Sequence, residues 1–111
     1  MKMNDYNIEF VRGDTFTFTI KLNGFEGTIA SVYMSCKKYI TDVEYQFQKE
    51  IGDGITINQD GTITFRVAPE DTTNLDVGDY IYDVQIGISN DIFTVLKGKL
   101  TLDHEITREE S

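Results

Sequence analysis

The run Asp76-Val77-Gly78-Asp79-Tyr80-Ile81-Tyr82 constrains this chain more than any other. It leads into strict alternation, Tyr80, Tyr82, Val84, Ile86 and Ile88, which is the period-two pattern of a strand with one buried face. Asp-x-Gly-x-Tyr ahead of a strand is the sequence form of a tyrosine corner. The ring enters a sandwich core while its hydroxyl bonds to backbone a few residues upstream. The expected partner of the Tyr80 hydroxyl is therefore backbone near Asp76 or Leu75, with Gly78 shaping the turn and Tyr82 following on the same inward face. These four positions (Asp76, Gly78, Tyr80 and Tyr82) are structural, and none implies chemistry.

Alternation recurs along the chain, punctuated by turn signals about every 8–12 residues, as in an all-β sandwich. Residues 6–11 read as a short first strand closed by Arg12-Gly13-Asp14. Thr15–Leu22 follows, with Phe16, Phe18, Ile20 and Leu22 on one face and threonines on the other. Asn23–Gly27 is a loop carrying two glycines. Over 29–37, Ala30, Val32, Met34 and Cys36 should point inward, and Ser31, Tyr33, Ser35 and Lys37 outward. A strand over 43–49 should present Val43, Tyr45 and Phe47 on one face. Asn58-Gln59-Asp60-Gly61 reads as a hairpin turn between Ile55–Ile57 and Thr62–Val67.

Pro69, the chain's only proline, precedes Glu70 and Asp71. Proline at a first helical position with acids in the first turn predicts a short helix crossing between sheets, although Ala68 is a poor N-cap. The last two strands span 79–88 and about 92–103, with a bulge expected at Gly98. The expected fold is thus an all-β, immunoglobulin-like antiparallel β-sandwich of seven to eight strands, with one short helical turn before the corner strand. It forms a single domain over residues 1–111, with a core at about 6–103 and a charged tail at 104–111.

Composition narrows the function classes. The net charge of −9 opposes a phosphate-binding surface, since nucleic-acid binders carry a basic stripe. No apolar run approaches the ~20 residues that span a bilayer, so no membrane association is expected. The polar start Met1-Lys2-Met3-Asn4-Asp5 lacks the apolar segment of a signal peptide, and synthesis in the cytoplasm is expected. The single cysteine, Cys36, excludes an intrachain disulfide. Antibody-type domains place a cysteine two residues after the corner tyrosine, where this chain has Tyr82. Cys36 alternates with apolar neighbours and reads as a small buried hydrophobe.

No set of residues amounts to a catalytic, cofactor or metal site. Arg12-Gly13-Asp14 matches an integrin-binding tripeptide but lies between strands, as a turn does. Asp53 and Asp60 do not follow the alternating acidic spacing of an EF-hand loop. His104, the only histidine, lies at the edge of the tail and has nothing to orient it. The chain also lacks a glycine-rich loop leading into a helix with a following lysine. Tyr33 and Tyr39 are candidate ligand-stacking rings on a wet face.

Taken in order, Arg12-Gly13-Asp14-Thr15-Phe16-Thr17-Phe18, Gly52-Asp53-Gly54-Ile55-Thr56-Ile57, Asp60-Gly61-Thr62-Ile63-Thr64-Phe65, Gly78-Asp79-Tyr80-Ile81-Tyr82 and Gly98-Lys99-Leu100-Thr101-Leu102 form a family-like series. Over residues 8–108 the chain resembles the small Ig-like structural domains of tailed bacteriophages. It is similar in particular to the N-terminal domain of the upper baseplate protein of phages infecting Gram-positive bacteria. The resemblance implies a non-enzymatic phage or prophage virion structural protein of tail, baseplate or neck. It implies no cofactor, partners among other virion structural proteins, and a homo-oligomer with a trimer as the favoured form. Members of that family carry a long C-terminal extension beyond this domain, and the sequence ends at Ser111. A linker role is therefore not carried over. A carbohydrate- or surface-binding Ig-like module is the alternative.

Overall fold

A computed structural model describes residues 4–22 and 28–106. The loop expected at 23–27 and the end of the tail lie outside the described residues. The elements are β1 (Asn4–Asp5), β2 (Ile8–Val11), β3 (Phe16–Lys21), β4 (Ile29–Lys37), β5 (Phe47–Ile51), β6 (Gly54–Ile57), β7 (Thr62–Val67), α1 (Pro69–Thr72), β8 (Gly78–Ile88) and β9 (Asp91–Asp103). The protein is all-β apart from α1. Its strands form one hydrogen-bonded path, β1-β9-β8-β4-β5-β6-β7-β3, with β2 also paired to β9. The path curls into a nearly closed, barrel-like sandwich. Its two ends meet through side chains: Phe10 stacks on Phe16 at 4.8 Å, and Tyr6 approaches Phe18 at 6.3 Å.

Not every pairing is antiparallel, as had been expected. Strands β1 and β2 run parallel to β9, which closes the sheet by laying the two ends of the described chain side by side. Strands β5 and β6 are also locally parallel. Between them Gly52 and Gly54 adopt φ of 90° and 94°, and Glu50 and Asp53 exchange backbone hydrogen bonds. The chain steps sideways there instead of reversing, and so turns the corner from one layer to the next.

The inward phase of β8 holds Tyr80, Tyr82, Val84, Ile86 and Ile88, all buried against Val32, Met34 and Cys36 of β4 and Leu100 and Leu102 of β9. Ile55, Ile63, Phe65 and Val67 fill the opposite layer. The hairpin between β6 and β7 turns at Gly61 (φ 89°), and Asp60 accepts hydrogen bonds from both the amide and the hydroxyl of Thr62.

Three local expectations change. Ala30 is exposed instead of inward, because the β4–β8 register shifts between Ile29 and Ser31. The segment before Phe47 is not strand: Val43 and Tyr45 lie in a connection that curls outward, 91% and 49% exposed. The bulge of β9 falls at Val95, not Gly98, since Val84 pairs Leu96 while Gln85 pairs Thr94. That extra residue puts Val95 and Leu96 in the core consecutively. Gly98 has a different cause. A Cβ there would lie 2.3 Å from the Tyr6 carbonyl oxygen, so only glycine lets the N-terminal segment cross β9.

Helix α1 spans only Pro69–Thr72, and its start is secured from within. The Asp71 carboxylate accepts the Ala68 N–H at 2.7 Å and also receives Lys49 Nζ at 2.9 Å. Lys49 occupies the inward phase of β5, its side chain only 7% exposed, so the Asp71 contact both neutralises a buried ammonium and fastens α1 to the sheet.

Three substitutions test these ties by chemical denaturation. Tyr80→Phe leaves the Asp76 carbonyl without its donor (2.7 Å) and should cost about 1–2 kcal/mol. Asp71→Ala removes the closer of the two carboxylates on Lys49 together with the Ala68 cap and should cost about 3 kcal/mol, and Lys49→Met, which leaves the Asp71 carboxylate unpaired, should also destabilise. Strictly additive losses in the Lys49→Met/Asp71→Ala double variant would refute the buried pair.

Candidate functional site

On an open sheet face, side chains of paired residues stand side by side on neighbouring strands about 4.8 Å apart. Across the outer face of β5, β4, β8 and β9 the register places Gln48 beside Ser35, Ser35 beside Asp83, and Asp83 beside Lys97. Four polar residues thus form one transverse row. The next row holds Tyr33 beside Gln85, and the row on the other side holds Lys37 beside Ile81. The connection ahead of Phe47 curls over this face and brings Ile40 and Tyr45 to it, while Asp5 and Asn7 close the far end. Together they enclose an open groove of about 1010 Å³.

Several groups in the groove are already oriented. Gln48 Nε2 donates to Ser35 Oγ at 3.0 Å, and Gln85 Nε2 to Thr94 Oγ1 at 3.3 Å, which turns each amide oxygen away from its partner. Lys37 Nζ lies 5.5 Å from the centre of the Tyr45 ring, within cation–π range. At the middle of the polar row, Asp83 is half-buried. Desolvation raises its pKa above the ordinary aspartate value, and the Lys37 ammonium only partly opposes that rise. Among the described residues the Asp83 carboxylate has no hydrogen-bond or ion-pair partner.

The structure separates the two rings singled out from the sequence. Tyr33 lines the groove, 39% exposed, whereas Tyr39 stands 63% exposed in a turn outside the groove lining, its amide donating to Asp42 Oδ2. Tyr45 is the second ring of the groove. Sequence reading placed it on one face of a strand with Phe47, and no signal in the alternation marks where β5 begins. The polar row escaped as well, because it exists only through the pairing of four strands.

The corner residues lie on the other side of β8. The Tyr80 hydroxyl donates to the Asp76 carbonyl at 2.7 Å, and Lys38 Nζ covers the Tyr80 ring at 4.4 Å. Gly78 opens the strand with φ 132°, a conformation favouring glycine. Tyr82 sends its hydroxyl to the Tyr6 carbonyl, and its burial pushes its pKa above the ordinary phenol range.

The remaining motifs take structural places. The Arg12 guanidinium donates to the Leu75 carbonyl at 3.0 Å and pairs with Glu105 at 2.8 Å, so it is not presented as an adhesion tripeptide requires. The Gly13 amide donates to buried Thr72 Oγ1, which docks the turn on α1. Asp53 faces Lys49 Nζ at 3.5 Å. Cys36 is buried, its pKa pushed up to about 12 by desolvation, which leaves a thiol unsuited to nucleophilic chemistry. His104 is exposed beyond β9.

No protein-family model matches this chain, and a search of curated proteins finds no match.

The Asp83 carboxylate gives a direct test of the groove's electrostatics. Its raised pKa means the folded state holds the neutral form better than the unfolded chain does. Stability is therefore lost as pH rises through the carboxylate range. Asp83→Asn should raise the denaturation midpoint at pH 7, and the gain should vanish below the carboxylate range, where wild type is itself protonated. A midpoint that falls at pH 7 would show that the carboxylate is stabilising.

Proposed function

We propose that this protein is a non-enzymatic structural component of a phage or prophage particle. It would be an Ig-like domain that works by assembling with other virion proteins and with copies of itself. The observation that carries this reading is the connection between β4 and β5. Within five residues it holds Tyr39, Ile40 and Val43 in solvent at 63%, 82% and 91% exposure. Concentrated exposed apolar side chains are characteristic of interaction surfaces, and tyrosine is frequent among the residues that dominate binding energy. The free edge of β3, with Thr17, Thr19 and Lys21 outward, offers a second route to association through strand pairing.

The Ig-like assignment is supported by the Tyr80 hydroxyl bond four residues upstream and by the packing of β8 between β4 and β9. The phage assignment rests on the resemblance across residues 8–108. Closed symmetry is the usual way for repeated copies to satisfy such surfaces, and the resemblance to baseplate components slightly favours a trimer.

Particles induced from the source strain should contain the chain at fixed stoichiometry after density-gradient purification. Light scattering at tens of micromolar should give a mass above the monomer, and Val43→Asp should return it to the monomer without lowering the melting temperature. Purified particles lacking the chain would overturn the virion reading. A wild-type monomer would remove self-assembly and leave assembly with other proteins alone.

A further inference from the structure

The transverse row on the outer face has a composition that assembly through an apolar loop does not use. Gln48, Ser35 and Asp83 present fixed hydrogen-bonding atoms, and Tyr33 and Tyr45 border them with exposed rings. We infer that this groove binds a neutral oligosaccharide of hexopyranose units, with Asp83 accepting hydrogen bonds from sugar hydroxyls and Tyr33 and Tyr45 stacking on the C–H faces of the rings.

Four observations favour that ligand class. First, the Asp83 carboxylate is half-buried yet unpartnered among the described residues, so it retains acceptor capacity for donors that arrive from outside. A pair of sugar hydroxyls supplies such donors without adding charge. Second, rings beside fixed polar groups suit a ligand that is apolar on its faces and polar at its edges. Third, the groove holds Asp5 and Asp83 against Lys37 and Lys97, so it selects for neither sign, while the net charge of −9 repels polyanions. Fourth, the groove is an open trough across four strands, which admits an extended chain more readily than a compact metabolite.

A segment of another protein is the competing occupant. The cores of protein interfaces are depleted of charge, and here a carboxylate stands at the centre of the groove. The inference does not rest on the virion reading, because the groove and Val43, which stands outside its lining, are tested by different variants and different readouts.

The experiment is titration of the ¹⁵N-labelled full chain, followed by amide chemical shifts. The probes are cellotetraose, N-acetylchitotetraose and, separately, tetralysine. A tetrasaccharide at millimolar concentration should shift amides of β4 and β8 around Tyr33, Ser35, Asp83 and Gln85. Tyr33→Ala and Asp83→Asn should each weaken that binding by about tenfold or more, the loss expected when an anchoring contact is truncated. Tyr33→Phe, which keeps the stacking face, should bind as wild type does. Both positions are on the outer face, and a melting temperature no lower than that of wild type would confirm that the fold is retained. Failure of both tetrasaccharides to move these amides would overturn the inference. So would wild-type affinity in Tyr33→Ala. Shifts from tetralysine alone would overturn it in favour of a basic protein segment.

Discussion

A phenol buried in a core must still give its hydroxyl a partner, and two such hydroxyls on β8 organise this molecule. Tyr80 reaches the Asp76 carbonyl and holds the chain's entry into the central strand. Tyr82, on the same face, reaches the Tyr6 carbonyl from the far end of the described chain. That second bond is possible only because Gly98 of β9 has no side chain where Tyr6 crosses. Tyr6 in turn donates its amide to the Lys97 carbonyl at 2.8 Å and sets the parallel pairing that follows. Phe10 then lies over Phe16, and the curled sheet nearly closes upon itself. One glycine and one hydroxyl thus decide whether the sheet ends in an open edge or a seam.

Much of this was legible because inward alternation is a local property. The phases of β3, β7 and β8, the turn at Asp60-Gly61 and the corner at Tyr80 each need only a few neighbouring residues to be read. What was not legible depends on partners distant in sequence. Lys49 shares its phase with Phe47, and its closest carboxylate, the one that makes an inward lysine tolerable, comes from Asp71, 22 residues on. Gly98 and Val95 exchange roles because the glycine answers to Tyr6, while the bulge answers to the pairing of Val84 and Gln85. Alternation over 43–49 continues through a connection that is not strand, since period two in side chains does not itself supply a hydrogen-bonding neighbour. The parallel pairings of β1 and β2 have no local sign at all.

The same division applies to the candidate site. Tyr33 could be placed on an outer face from its own strand, but its neighbours there come from β5, β8 and β9. The row Gln48, Ser35, Asp83 and Lys97 is a product of register, and register is fixed by the inward residues. Ser35 stands beside Asp83 because Met34 and Val84 are paired in the core one step away. Core packing thus determines the geometry of the outer surface, and the surface residues remain free to vary in chemistry. The sandwich interior therefore says little about function, whereas the composition of the outer rows says more.

Asp83 is where that freedom is most informative. A half-buried carboxylate without a partner among the described residues lowers stability at neutral pH, and asparagine would fill the same volume without the charge. Stability alone would favour the replacement, because sites that keep a destabilising group commonly do so for activity. A solvated counterpart is close at hand: Asp79, two outward positions along β8, has Thr101 as a hydrogen-bond partner at 2.8 Å and Lys99 at 3.9 Å. The two aspartates share a strand and an outward phase, and each has its own neighbour on β9, but among the described residues only Asp79 is bonded to its neighbour, Thr101, while Asp83 is not bonded to Lys97. The contrast identifies Asp83 as the position on this face whose chemistry the fold does not use.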